Sequence, residues 1–143
     1  MSEPSADLVA LVPHAELEDL SFVELVGRRN LAPLTTEAPP TEPRYGLQAA
    51  VADDLQHFRL ILRIDIEAPE GEIRAATMAN YAVAEGAPDL RLRLVVEYAN
   101  EVGVMMLLPY LRQAIADLAQ RVFGGALLMP IMPRGAVRFE LPD

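Results

Sequence analysis

MMLLPYLRQAIADLAQRVFGG, Met105–Gly125, is the one stretch long and periodic enough to read as a multi-turn helix. From Leu107 onward, apolar residues fall at Leu108, Leu111, Ile115, Leu118 and Val122, three or four apart. Arg112, Gln113, Asp117, Gln120 and Arg121 fill the intervals. That is a 3.6-residue period with one apolar stripe and one polar face. Pro109 stands early, where its missing amide donor is tolerated near a helix start or accepted as a kink. Gly124-Gly125 supplies a left-handed stop behind Arg121, a cation well placed for the helix C-terminus. So apolar a helix needs a large partner surface, and the remaining chain offers mainly strands.

The 143 residues form one domain by expectation, enough for a single core. Hydrophobic residues make up 52%, above the ordinary range, which points to surface buried by a partner or another copy. A net charge of −9 makes nucleic acid and anionic membrane poor electrostatic partners. With no cysteine there is no disulfide, no thiolate nucleophile and no cysteine-ligated metal. The start, MSEPSAD, is acidic and lacks the basic and apolar regions of a signal peptide. The longest nearly uncharged run, Val102–Leu111, is too short to span a bilayer. A cytoplasmic protein without membrane insertion is the expectation.

Working outward, residues 1–15 read as a loosely ordered N-terminus with a short apolar run, Leu8–Val12, ended by Pro13. Glu16–Val26 has strand composition, and its imperfect alternation predicts a bulge or a change of buried face. Residues 30–43, NLAPLTTEAPPTEP, carry four prolines and no periodicity, and read as a long extended crossover. Arg44–Ala52 alternates Tyr45, Leu47, Ala49 and Val51 on one side. Gln56–Ala68 is the clearest strand, with Phe58, Leu60, Leu62, Ile64 and Ile66 facing one way. After a tight turn at residues 68–71, Glu72–Ala84 keeps Ile73, Ala75, Thr77, Ala79, Tyr81 and Val83 in phase. Strands two to four therefore make an antiparallel meander, joined by strand one across the crossover. Residues 89–104 fit strand or helix, and a helical lead-in from about Val95 is favoured. Ala136–Leu141 fits a short terminal strand within a tail, 134–143. The class is α+β: a four-stranded antiparallel sheet, a long crossover between strands 1 and 2, and one long helix packed upon it.

Catalytic chemistry is sparse. His14 and His57 are the only histidines, and their spacing does not suggest a metal pair. Serine occurs at Ser2, Ser5 and Ser21, and only Ser21 is available to a catalytic triad, in a strand without a nucleophile elbow. No glycine-rich phosphate loop opens a helix. Asp53-Asp54 reads as a solvated turn, and the acids Glu16, Glu18, Asp19 and Glu24 as a solvated strand face or a docking patch. The residues argue against an enzyme, with no catalytic, cofactor-binding or metal residues to assign.

The order of elements resembles the SecB-type export chaperones. Pro109-Tyr110-Leu111-Arg112, Ile115-Ala116-Asp117-Leu118, Arg121 and Leu128-Met129-Pro130 are similar to that family's Phe-Pro-Tyr-Ala-Arg helix and Leu-x-x-Ala-Pro segment. Asp19-Leu20-Ser21-Phe22 is similar to its first-strand Asp-Ile-Ser-Phe. Ala52-Asp53-Asp54 and Leu60–Ile66 look like its turn and third strand, so the resemblance covers residues 16–133.

The resemblance implies a homotetramer, a dimer of dimers, that holds unfolded polypeptides in apolar grooves without ATP or any cofactor. Groove walls would come from Leu31 and Leu34 of the crossover, Tyr45 and Leu47 of strand two, and Leu128, Met129, Ile131 and Met132 after the helix. Flexible methionines suit a surface that repacks around different clients. The helix would meet another subunit through Arg112, Gln113 and Gln120. Docking of the SecA motor is implied through Asp19 and Glu24. The pattern departs there: Val23 falls where the next acid belongs unless the register slips by one, and Thr77 stands in place of a fourth-strand acid. The family's second helix is not expected here, since Pro133-Arg134-Gly135 is followed by AVRFELPD. A chaperone or adaptor dedicated to one partner, such as an antitoxin, is therefore the alternative to an export holdase. A third class, a thioester hydrolase of helix-in-sheet type, would need a carboxylate–histidine pocket with only two histidines to draw on.

Overall fold

In the computed structural model, which describes residues 4–31, 43–68, 70–125 and 136–143, four antiparallel strands carry a helical layer on one face. The strands are β1 (Ala15–Arg29), β2 (Arg44–Val51), β3 (His57–Ala68) and β4 (Gly71–Val83). Their order across the sheet is β1-β4-β3-β2, so the meander of the last three is joined by β1 at the β4 edge. The inward row of β3, Phe58, Leu60, Leu62, Ile64 and Ile66, is buried as its strict alternation requires. In β4 the inward row is Ile73, Ala75, Thr77, Ala79 and Tyr81.

Strand β1 reaches the same face with a broken period. Leu17 lies opposite Tyr81, Leu20 opposite Ala79, Phe22 opposite Thr77, Leu25 opposite Ala75 and Gly27 opposite Ile73. The register shifts between Leu17 and Asp19 and again between Phe22 and Glu24, so Glu18 and Val23 are the extra residues of two bulges. Those two insertions account for the imperfect alternation of the sequence.

The helical layer begins earlier than Val95. Helix α2 (Leu92–Tyr98) runs through a π turn (Ala99–Gly103) into α3 (Val104–Val122). Its buried residues are Leu94, Val95, Val96 and Tyr98 in α2, and Val104, Leu107, Leu108, Leu111, Ile115 and Ala119 in α3. Ala119 takes the last fully buried position, while Leu118 and Val122 sit half-buried over β1. Pro109 lies inside α3, one of the two positions anticipated for it. The layer crosses the sheet from β2, under α2, to β4 and β1, under α3. Two glycines permit that crossing. A Cβ on Gly103 would stand 2.6 Å from Leu60 Cδ1, and one on Gly27 would stand 2.7 Å from Val122 Cγ2. Leu92–Val122 is a 31-residue helical run, apolar and long enough to cross a bilayer, which the shorter Val102–Leu111 run did not suggest. Yet 61% of its apolar window is buried here, the burial a core helix requires.

Two further readings are corrected. Residues 6–14 are not loosely ordered: α1 (Ala6–Leu11) is capped by Ser5 Oγ, which accepts from Leu8 N–H at 3.1 Å, and a 3-10 turn (Val12–His14) follows. Leu8 and Leu11 are core residues, so the run before Pro13 is the apolar stripe of a short helix. The terminal segment 136–143 forms no strand, and Asn100 holds it instead. No helix follows Val122 among the described residues.

Candidate functional site

The inward face of β1 is only partly covered. Because α3 meets this edge strand at Gly27, near its far end, the middle of β1 projects beyond the helix. Leu17 and Phe22 remain 39% exposed and Leu25 51%, with the bulge residue Val23 beside them at 47%. Phe22, Leu25, Tyr110, Gln113, Ala114 and Leu118 line a groove of about 320 Å3 between β1 and α3. One wall is the outer edge of β1, which no strand pairs among the described residues, and such an edge can pair with another extended chain. Sequence reading assigned Phe22 and Tyr110 to the fold and Leu25 to no site. The signal it carried was the surplus of apolar residues in a strand whose alternation fails.

Of the groove walls expected from sequence, Leu31 follows β1 and is 91% exposed. Tyr45 and Leu47 lie on the inward face of β2, half-buried against the core. The register puts Leu31 and Tyr45 at the same end of the sheet but on opposite edges, so they do not form one wall. Burial raises the Tyr45 hydroxyl above its ordinary pKa. Leu34, Leu128, Met129, Ile131 and Met132 fall outside the described residues. Of the helix positions, Arg112 is half-buried, whereas Gln113 and Gln120 are exposed, Gln113 at the rim of the β1–α3 groove.

The outer face of the sheet carries both acids expected to dock a partner, and both are engaged. Glu24, Ala76 and Arg63 stand in register across β1, β4 and β3. Arg63 Nη1 donates to Glu24 Oε1 at 2.7 Å, and the pair closes over Ala76, which is fully buried. In the row of Asp19, Asn80 and Arg59, Arg59 Nε donates to Asn80 Oδ1 at 2.8 Å and Asn80 Nδ2 to Asp19 Oδ2 at 3.3 Å. Arg74 is likewise paired with Asp65 and Glu72.

The two histidines are also accounted for. His14 Nδ1 is 2.9 Å from the Ala10 carbonyl. His57 lies between Asp54, at 2.8 Å, and Glu18, at 3.6 Å. The Gln56 amide and His57 together hold the Asp54 carboxyl below its ordinary range. Asp54 sits on the turn before β3, His57 opens β3 and Glu18 is the first bulge of β1; all three are exposed, and the geometry is that of a surface tie. Among the described residues no cluster of three or more His, Asp or Glu has the spacing to hold a metal ion.

Under α2, Phe58 stacks on Tyr81 at 4.6 Å, and Tyr98 meets both rings edge-on at 5.3 Å. The Tyr81 hydroxyl donates to Met106 Sδ at 3.8 Å. Burial, and secondarily Tyr98, pushes the Tyr81 phenol far above its ordinary pKa, and burial raises Tyr98 as well. These rings anchor the helical layer to the sheet.

The sequence matches no protein-family model. No curated protein matches it in sequence. Its backbone does have a solved counterpart: the SecB-like chaperone Rv1957 of Mycobacterium tuberculosis, in complex with a ChAD peptide from the HigA1 antitoxin Rv1956. The likeness has a TM-score of 0.74 at 16% identity and covers 88% of this chain and 96% of that one. The chain has the SecB-like fold. The edge strand, the meander and the long helix are thus arranged in the SecB-like fold, as the sequence resemblance implied. A protein of unknown function from Streptococcus agalactiae is similar at a TM-score of 0.42 and 15% identity, over 82% of this chain and 97% of that one.

Proposed function

We propose that this chain is an ATP-independent holdase of SecB-like type, which binds non-native polypeptide on apolar surface and uses no cofactor. The observation that carries the reading is the 0.74 TM-score likeness, over 88% of the chain, to a chaperone solved with an antitoxin peptide. The chemistry of the β1 edge supports it: Phe22, Val23 and Leu25 lie on a strand edge unpaired among the described residues and suit an extended chain in any sequence register. We read it as a cytoplasmic protein without enzymatic activity.

The same edge supports self-association, since exposed apolar residues on an unpaired strand are a surface another copy can cover. The tetramer reading puts Arg112, Gln113 and Gln120 of α3 between protomers. Mass action would then tie stability to assembly.

Export through SecA is the finer reading, and it requires Glu24 to exchange Arg63 for a partner's cation. The antitoxin peptide bound by Rv1957 equally favours a chaperone dedicated to one partner. Co-purification from the native host followed by mass spectrometry separates the two. Many unrelated polypeptides at substoichiometric levels support the general holdase. One stoichiometric partner supports the dedicated form, and a clean monomer that captures neither contradicts both.

A further inference from the structure

Asn100 is the one buried amide side chain of the helical layer, 3% exposed, and it is spent on backbone. Its Oδ1 accepts from the Phe139 N–H at 2.8 Å, and its Nδ2 donates to the Phe139 carbonyl at 2.9 Å. Both polar groups of one residue in an extended chain are thereby read without reference to its side chain. The π turn makes this possible, because Asn100 is its second residue and the widened turn lies against residues 136–143. Such turns recur at functional sites.

The segment so held is not part of the sheet. Among the described residues no backbone–backbone hydrogen bond reaches 136–143. Its other ties to the described residues come from side chains: Arg138 Nη2 to Glu101 Oε1 at 3.1 Å, and Arg93 Nη1 to the Pro142 carbonyl at 3.2 Å. Val137 is buried in the core cluster and Phe139 is packed against it, so alternate residues turn inward. Beside the segment, a cavity of about 240 Å3 lined by Ser5, Leu8, Glu97, Asn100 and Leu141 stays unfilled. Among the described residues the strap is held by one backbone clamp, one ion pair, one arginine–carbonyl hydrogen bond and two inward side chains, without the hydrogen-bond ladder of a strand.

We propose that the cleft between α1 and the π turn is a binding site for an extended polypeptide segment of pattern apolar–cationic–apolar, and that residues 136–143 are its resident occupant, displaced by a client. Asn100 supplies recognition that tolerates any sequence, the sites of Val137 and Phe139 take apolar side chains, and Glu101 favours a cation between them. A tethered occupant competes at high effective concentration, so a peptide added in trans binds poorly until the strap is weakened. The displacement by clients rests on the holdase reading; the peptide site itself does not.

Two measurements on the full chain decide it. Hydrogen exchange at the Phe139 amide is followed with and without saturating reduced, carboxymethylated α-lactalbumin, an unfolded protein. The expected result is that Phe139 opens without unfolding of β3 and exchanges about ten-fold faster with client bound. The fluorescein-labelled peptide AVRFELPD is titrated against the wild type and V137S/F139S. The variant is expected to bind it about ten-fold tighter than wild type, and adding Asn100→Ala to lose that gain. Exchange of Phe139 only together with the β3 amides overturns the inference, since the strap is then integral to the core. Absence of peptide binding by a folded V137S/F139S protein overturns it as well. A client that binds without changing Phe139 exchange overturns displacement and leaves the holdase standing. A client that fails to bind counts against the holdase, and the peptide titration then decides the site alone.

Discussion

Gly103 lies directly over Leu60: a Cβ at this glycine would come within 2.6 Å of Leu60 Cδ1, a side chain with no solvent exposure. This is where the helical layer comes down on the central strand, and Leu60 has no free volume into which to retreat. Gly103→Val is expected to cost about 1–3 kcal/mol through overpacking. Urea unfolding checks it, with a lower midpoint at an unchanged slope. A wild-type midpoint would mean that the layer does not approach β3 here.

Leu111 and Ile115 are both fully buried in the stripe that α3 turns to the sheet. Truncation of either to Ala should cost about 2–5 kcal/mol. Leu111→Asp or Ile115→Asp leaves a carboxylate with no partner in an apolar interior and is expected to abolish folding. Far-UV circular dichroism of the soluble fraction reports the outcome. Soluble variants with native spectra would contradict the helix orientation.

Alkaline pH probes the ring cluster. The Tyr81 and Tyr98 phenols are raised above the ordinary value of 10.0 by burial. Above that value the unfolded chain loses these protons while the folded chain keeps them, so the unfolded state binds fewer protons. Stability therefore falls as pH rises beyond about 10 and is flat below it, as far as these two groups are concerned. Tyr81→Phe should flatten part of that fall. Denaturant midpoints between neutral pH and the alkaline limit measure it, and an equal fall in the variant would remove Tyr81 from the account.

The exposed edge makes a different kind of prediction. Phe22→Glu and Leu25→Glu alter side chains that are 39% and 51% exposed in the protomer, so each should lose only part of a full burial, about 1–2 kcal/mol, and the fold should survive. If this edge mediates assembly, their mass by light scattering should drop below wild type. Unchanged mass in both would place the interface elsewhere.

Most of the fold was legible because its signals are periodic. The inward row Phe58–Ile66 and the stripe Leu108, Leu111, Ile115 each obey one repeat, and both landed on the faces assigned to them. Legibility stops where the period breaks. The two bulges of β1 hide the fact that Leu17, Leu20, Phe22 and Leu25 share a face, because their spacing alternates between three and two. The π turn similarly hides the join of α2 to α3, which left residues 89–104 between strand and helix. The N-terminal helix was missed because six residues give too few turns for a period, and its stability comes from Leu8 and Leu11 packing in the core.

The candidate site was less legible for the same reason. Tyr45 and Leu47 were placed on the right strand, but which edge stays uncovered depends on where α3 crosses, and no local pattern encodes that. The Asn100 clamp joins residues 39 apart in sequence through backbone atoms, so its partner's side chain carries no signal.

The most direct test of the holdase account is light scattering of a model protein diluted from guanidinium, with this chain present and no nucleotide. The expected result is suppression of scattering that saturates at a fixed ratio of this protein to client and is unaffected by added ATP. Scattering that matches the client alone at every ratio would contradict it.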